Sequence, residues 1–230
     1  MKRIICVAAV LMMMSSAAYA ADFTDTKGHW AENTINRIAD LGIVNGVSEH
    51  TFNPDGAVTR AEYLKMIMEL TGIETVQYRE GECLDAAGGD WYAPYLQSAL
   101  DKGLIPKEMI TSYKMNLTVT TDENGNAVSN VTYSGSFNGN LPIDREEMAV
   151  ITMHLYQYAA NAGDDLDTSG LVIFSDMDTV SVWAQPSVKL AVASGFIEGM
   201  GDGSFQPSGT ATRAQAATII GRILDRQRQV

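Results

Sequence analysis

The stretch F-T-D-T-K-G-H-W-A at residues 23–31, followed by L-G-I-V-N-G at 41–46 and T-F-N-P-D-G-A-V-T-R-A-E at 51–62, decides the fold, because most of it recurs. Trp30 is followed by Gly42 after 12 residues and by Arg60 after 30; Trp183 reaches Gly195 and Arg213 at the same two distances. Trp91 reaches Gly103 after 12 residues but Arg145 only after 54, so a middle copy carries a 24-residue insertion. The third copy reads F-S-D, V-W-A, S-G-F-I-E-G and S-F-Q-P-S-G-T-A-T-R-A-Q; the middle one reads C-L-D, D-W-Y-A, K-G-L-I-P-K and S-F-N-G-N-L-P-I-D-R-E-E. A fixed internal period signals supersecondary units that pack on one another.

Each copy predicts two helices. Behind the tryptophans lie apolar stripes at helical spacing: Ala31, Ile35, Ile38 and Ala39; Tyr92, Leu96, Ala99 and Leu100; Ala184, Val188, Ala191 and Val192. Pro94 and Pro186 fit a first helical turn, and Gly42, Gly103 and Gly195 fit the left-handed position past a helix end. The second helices start at capping signatures: Thr59 with Glu62, Asp144 with Glu147, and Thr212 with Gln215. Their apolar faces are Tyr63, Leu64, Ile67 and Met68; Met148, Ile151, Thr152 and Leu155; and Ala216, Ile219, Ile220 and Ile223. One pair of short helices cannot bury such faces alone, whereas three pairs around a shared axis can. The expected fold is mainly α: three tandem helix–loop–helix repeats around a central bundle, at residues 21–73, 83–158 and 174–225. Polar linkers are expected at Glu74–Glu82 and Ala159–Ser169. The insertion, about residues 111–136, reads as a β-hairpin with strands near Met115–Thr121 and Ala127–Tyr133 around Asn124-Gly125, with a structureless loop as the alternative.

The first twenty residues read as a secretory signal: Lys2 and Arg3, an apolar run from Ile4 to Met14, and the A-x-A site Ala18-Tyr19-Ala20. That run is too short to span a bilayer, and no later stretch is a candidate. Beyond the signal a single cysteine remains, Cys83, placed where the other copies have Phe23 and Phe174 and read as a buried apolar residue. Without Lys2 and Arg3, 14 basic side chains face 28 acidic ones, which argues against nucleic acid and anionic lipid as partners.

Arg60, Arg145 and Arg213 each take the first helical position, where the helix dipole disfavours a cation. Two readings stand side by side: an ion pair with a neighbouring acid, or an anion site in which an arginine fork joins free N–H groups at a helix start. The tryptophans are either core or hinge aromatics or rings that stack on a sugar, and the two are compatible. Catalytic signals are weak. His29, His50 and His154 lack metal spacing, and no nucleophile elbow or phosphate loop appears. Gly201-Asp202-Gly203-Ser204 lacks the alternating acids of a calcium loop and reads as a tight turn. No cofactor and no enzymatic activity are expected.

The W-A…G-I…F-x-P…T-R-A-E arrangement resembles the S-layer homology domain in three tandem copies. The resemblance implies a pseudo-threefold, three-pronged fold around a central helical bundle, and a protein secreted to a bacterial cell surface, wall or S-layer. The implied ligand is a secondary cell-wall polysaccharide, often pyruvylated, held without covalent bonds in grooves between repeats; peptidoglycan is the alternative wall ligand. It maps the binding residues onto Arg60, Arg145 and Arg213; Trp30, Trp91 and Trp183; Asp25, Asp85 and Asp176; and Gly42, Gly46, Gly195 and Gly199. The middle copy departs, with Lys107 for the second glycine, Gly139 for the proline and D-R-E-E for T-R-A-E, so the groove built on its loop is the one expected to be altered. Two other functions are weighed against anchoring: an envelope assembly protein whose hairpin pairs edge to edge or meets another surface protein, and a wall-glycan hydrolase with paired carboxylates.

Overall fold

The computed structural model describes residues 22–81, 85–160, 168 and 174–227. The signal segment, Cys83 and most of the second linker lie outside these. Among the described residues are six α-helices, α1 (Glu32–Asp40), α2 (Arg60–Thr71), α3 (Ala93–Asp101), α4 (Arg145–Ala160), α5 (Gln185–Ala193) and α6 (Arg213–Gln227), and one antiparallel ribbon, β1 (Thr111–Thr121) with β2 (Ala127–Ser136).

The helix ends follow local chemistry. At α2, Thr59 Oγ1 accepts from the Glu62 N–H at 3.2 Å, and the Glu62 carboxylate accepts from the Thr59 N–H at 2.8 Å. Thr212 and Gln215 make the same reciprocal pair at α6, at 3.2 and 3.1 Å. At α4 the Asp144 carboxylate accepts from the Glu147 N–H at 2.8 Å, while the Glu147 carboxylate turns to Arg60 at 3.2 Å. Pro94 and Pro186 sit in the first turns of α3 and α5, where no intrahelical N–H is needed. Gly42, Gly103 and Gly195 follow the first helix of each copy at φ of 71°, 64° and 71°, a conformation that a Cβ would strain.

Packing links consecutive copies. The second helix of one copy lies on the first helix of another: α2 on α3, α4 on α5, and α6 on α1. Helix α2 also packs against α4 and α6. Between α2 and α4 the fully buried Tyr63 shares a 2.6 Å hydrogen bond with Thr152, which satisfies both hydroxyls in the core. Burial raises the Tyr63 phenol above its ordinary range, so it stays protonated. The segments entering the second helices close a triangle of backbone hydrogen bonds. Val58 N–H donates to Ala211 C=O at 3.1 Å, Ala211 N–H to Ile143 C=O at 3.0 Å, and Ile143 N–H to Val58 C=O at 3.0 Å. All three residues are fully buried, so the polar groups have no water to turn to and the ring satisfies them.

Two connecting segments differ from their expected description. The first linker is polar in composition but ordered, strapped along α3. Val76 N–H donates to Ser98 Oγ at 2.7 Å and Arg79 N–H to Gln97 Oε1 at 2.8 Å, while the Arg79 guanidinium pairs with Asp101 and Tyr78 is buried. The insertion is the expected hairpin with longer strands, registered Thr121↔Ala127 and Thr118↔Asn130. At its tip the Asp122 carboxylate accepts from the N–H groups of Asn124 and Asn126 at 2.9 and 2.8 Å, and Gly125 sits at φ 81°.

Candidate functional site

Each copy builds its loop in the same way. Phe52, Phe137 and Phe205 are fully buried, and the residue after each, Asn53, Asn138 or Gln206, has a positive φ of 59°, 56° or 56°. That conformation turns two successive N–H groups in one direction, and an acid from the start of the copy receives both. Asp25 accepts from Phe52 and Asn53 at 2.9 and 2.7 Å, Asp85 from Phe137 and Asn138 at 2.7 and 2.5 Å, and Asp176 from Phe205 and Gln206 at 2.8 Å each. For Asp25 and Asp176, burial pushes the carboxyl upward, but the paired backbone N–H groups outweigh it and leave the pKa below its ordinary value. These three acids therefore hold the loops in shape.

The arginines stitch one copy to the next. Arg145 Nε donates to Phe205 C=O at 2.7 Å and its Nη2 to Glu198 C=O at 2.9 Å. Arg213 Nε donates to Phe52 C=O at 2.8 Å and its Nη2 to Asn45 C=O at 2.8 Å. Arg60 departs: its Nη2 donates to Met109 C=O at 2.7 Å, and its buried Nε has no partner. The carbonyl it meets belongs to the 3-10 turn Lys107–Met109, which runs into the ribbon. Each guanidinium also lies over a loop phenylalanine, at 4.9 Å from Phe137, 5.0 Å from Phe205 and 4.7 Å from Phe52. All three arginines are buried, at 4–6% exposure.

The expectation of free N–H groups beside these arginines is corrected. Arg60 and Ala61 donate to Leu141 and Gly139, Arg145 and Glu146 to Gly209 and Pro207, and Arg213 and Ala214 to Gly56 and Pro54. The neighbouring loop closes over each helix start and takes up the N–H groups that an anion would use. The ion-pair reading holds for two of the three. Arg60 meets Glu147 at 3.2 Å and Arg213 meets Glu62 at 3.6 Å, whereas Arg145 has no carboxylate within 4.0 Å among the described residues. The third residue of the partner helix is Glu147 or Glu62 in the paired cases and Gln215 in the copy that receives Arg145. Burial lowers the pKa of both Arg145 and Arg213, with Asp176 opposing it at the first and Glu62 at the second.

The tryptophans differ in exposure. Trp30 is 66% exposed and Trp91 51%, while Trp183 is half-buried against the core. Trp91 has company that the repeat pattern does not announce. The Lys65 ammonium of α2 lies 5.9 Å from the ring centres of both Trp91 and Tyr95, and the Tyr95 hydroxyl donates to Glu69 at 2.5 Å. Burial and the Glu69 carboxylate push the Tyr95 phenol up to about 12. Glu69, Ile73, Glu74, Thr75 and Tyr95 line a cleft of about 450 Å³ at this seam between α2 and α3. The only sequence signal for it is Lys65 itself, a lysine where the other second helices carry Val150 and Thr218. The glycines divide. Gly42 and Gly195 end helices, whereas Gly46 and Gly199 let a phenylalanine in: a Cβ there would stand 2.5 Å from Phe23 or Phe174. Asp202 organises the predicted tight turn, accepting from Ser204 N–H at 2.9 Å and Ser204 Oγ at 2.6 Å.

Loops pinned by an acid and bridged by an arginine recur along the chain and define a module built of repeated units. The S-layer homology domain family matches residues 22–64 and 173–217, and the chain is an S-layer homology domain protein. The middle copy, with its insertion and D-R-E-E, lies outside both matched segments. Among known proteins, the chain is 32% identical over 208 residues to an amylopullulanase of Thermoanaerobacterium thermosulfurigenes, covering 90% of this chain and 10% of that protein. It is 31% identical over 204 residues to exoglucanase XynX of Acetivibrio thermocellus, covering 89% and 16%. It is 25% identical over 207 residues to S-layer protein sap of Bacillus anthracis, covering 90% and 22%. The chain thus spans between 10% and 22% of the length of these relatives. S-layer homology domains are cell-surface anchoring modules that bind cell-wall polymers, and the domain is a binding module rather than a catalytic one. Among the described residues no helix is long and apolar enough to cross a membrane.

Proposed function

We propose that the protein is secreted and anchors at the bacterial cell surface by holding a secondary cell-wall polysaccharide, pyruvylated, in the seams between three repeats at 21–73, 83–158 and 174–225. The repeats surround a pseudo-threefold axis; the closed triangle of hydrogen bonds through Val58, Ile143 and Ala211 supports this arrangement. The observation that carries the ligand class is that the chain presents exposed Trp30 and Trp91 rings, the second with the Lys65 ammonium 5.9 Å from its centre, on a fold whose copies are joined by buried guanidinium groups. A sugar face stacks on an indole, and a pyruvyl carboxylate is matched by arginine.

The seams are unequal in this reading. Arg145 is the arginine without a carboxylate partner among the described residues, so it has the strongest remaining pull on an anion. Arg60 is neutralised by Glu147 and reaches the turn beside the insertion, and its seam binds weakly or through Lys65 and Trp91. The three aspartates and four glycines take part indirectly, the aspartates with Gly46 and Gly199 by shaping the loops and Gly42 and Gly195 by ending the first helices. The net negative charge of the chain repels an anionic polymer only within about 8 Å at physiological salt, so focused contacts at several seams suffice.

Titration of the intrinsic tryptophan fluorescence with purified wall polysaccharide, intact and after removal of its pyruvyl groups, tests the proposal. A saturable change with the intact polymer, lost on depyruvylation, is expected. An identical response to both polymers contradicts the carboxylate reading, and no response to either contradicts the ligand class.

A further inference from the structure

The hairpin β1–β2 meets the rest of the described fold at its base, near the 3-10 turn Lys107–Met109 and through a 2.9 Å hydrogen bond from Asn138 Nδ2 to Thr111 Oγ1. Among the described residues it is a two-stranded sheet, and there each strand keeps one unpaired edge. Such a ribbon is marginal in water without further strands or a partner surface. Edges of this kind are usually guarded by charges, prolines or bulges. In β1 the single irregularity lies at the base, between Thr111 and Lys114, and residues 115–121 carry no charge and no proline. Leu117 and Val119 share one face of the strand and are 62% and 60% exposed. The rest of the chain is strongly acidic, so this charge-free edge is where two copies can approach without repulsion.

We infer that β1 pairs antiparallel with β1 of a second copy, about a twofold axis at Thr118. That register places Leu117 opposite Val119 on one face, the kind of cross-strand apolar pair that stabilises a sheet. It also sets Lys114, at the base of the strand, opposite Asp122, at the tip, twice by symmetry. A shift by two residues toward either end separates these charges. The two ribbons become one four-stranded sheet spanning about 27 Å from Lys114 to Asp122. Asp122 remains the organiser of its own turn while its outer lone pairs meet the lysine. The contact is isologous and closes as a dimer, so it holds two anchoring bodies side by side.

Sedimentation velocity of the protein over a hundredfold concentration range, together with cysteine cross-linking, tests this. A reversible monomer–dimer equilibrium is expected, weakened at least tenfold by Lys114→Glu, which sets two acids against each other. Thr118→Cys places like residues on the axis and gives a disulfide-linked dimer under mild oxidation. Thr120→Cys places them about 14 Å apart, beyond disulfide reach, and stays uncross-linked; the parent chain, retaining Cys83, sets the background. A monomer at every concentration, a dimer indifferent to Lys114→Glu, or equal cross-linking of the two cysteine variants would overturn the inference. A monomer that binds another surface protein through the ribbon would equally count against it.

Discussion

At the scale of single residues, the third position of each second helix sets the charge balance around the arginines, and the cap of α4 sets a pH response. The third residue of each second helix is Glu62, Glu147 or Gln215, and each supports its own N-cap or the arginine of the preceding copy. Gln215→Glu keeps the capping geometry and supplies Arg145 with the carboxylate it lacks. Polymer affinity is expected to fall about threefold to tenfold, the equivalent of about 0.7–1.4 kcal/mol, with thermal stability unchanged; calorimetric titration checks this. Asp144 is the acidic counterpart. Burial, then the neighbouring Glu147 and Glu146 charges, push its carboxyl up to about 7 against the cap and Arg60, which lower it. Its folded pKa is raised, so between roughly pH 4 and 7 the native state holds a proton that the unfolded chain releases, and stability declines as pH rises through that window. Asp144→Asn retains a good cap and is expected to remove this decline, gaining about 1–2 kcal/mol at pH 8 once solvent access is allowed for. Urea unfolding of both proteins at pH 5 and pH 8 measures the difference. Asp25 and Asp176 have the opposite sign: their lowered pKa contributes stability above the unfolded value, which is lost as acid takes the pH below about 4.

At the scale of elements, helices were legible because their signals are local. Caps, first-turn prolines and left-handed glycines each depend on neighbours within a few residues, and the apolar stripes report burial whatever they face. The hairpin was equally legible from Asn124-Gly125 between β-formers. What the arginines do is not legible, because their partners are backbone carbonyls about fifty or more residues away, and a carbonyl carries no residue-type signal of its own. The strap at Glu74–Gly81 is not legible for the same reason: its contacts to Gln97 and Ser98 follow from tertiary packing. Two of the four glycines to which the family resemblance gives a ligand role, Gly46 and Gly199, also have a packing cause. Gly199→Ala would drive a methyl group to 2.5 Å from the Phe174 ring and 2.7 Å from Ser204 C=O, so the loop must shift. A loss of about 2–3 kcal/mol is expected, read as a lowered thermal midpoint, and Gly46→Ala is expected to match it against Phe23. Gly42→Ala has open space around it and is expected to cost about 1 kcal/mol from its positive φ alone.

At the scale of the whole molecule, the second helix of each copy packs on the first helix of another, and each arginine reaches a loop outside its own copy. In the proposed function the arginines that bind also hold the copies together, so arginine-to-alanine variants confound the two. The exposed rings separate them: Trp30→Ala is expected to leave the thermal midpoint within about 2 °C, since surface changes are within ±0.5 kcal/mol, yet to weaken wall binding. The most direct test of anchoring is co-sedimentation of the protein with purified cell-wall sacculi, before and after chemical removal of the secondary polysaccharide, with Trp30→Ala and Trp91→Ala alongside. Sedimentation with intact sacculi, lost with the polymer and reduced by the tryptophan changes, is the predicted result. Binding that persists undiminished on stripped sacculi, or no binding to either, would contradict the account.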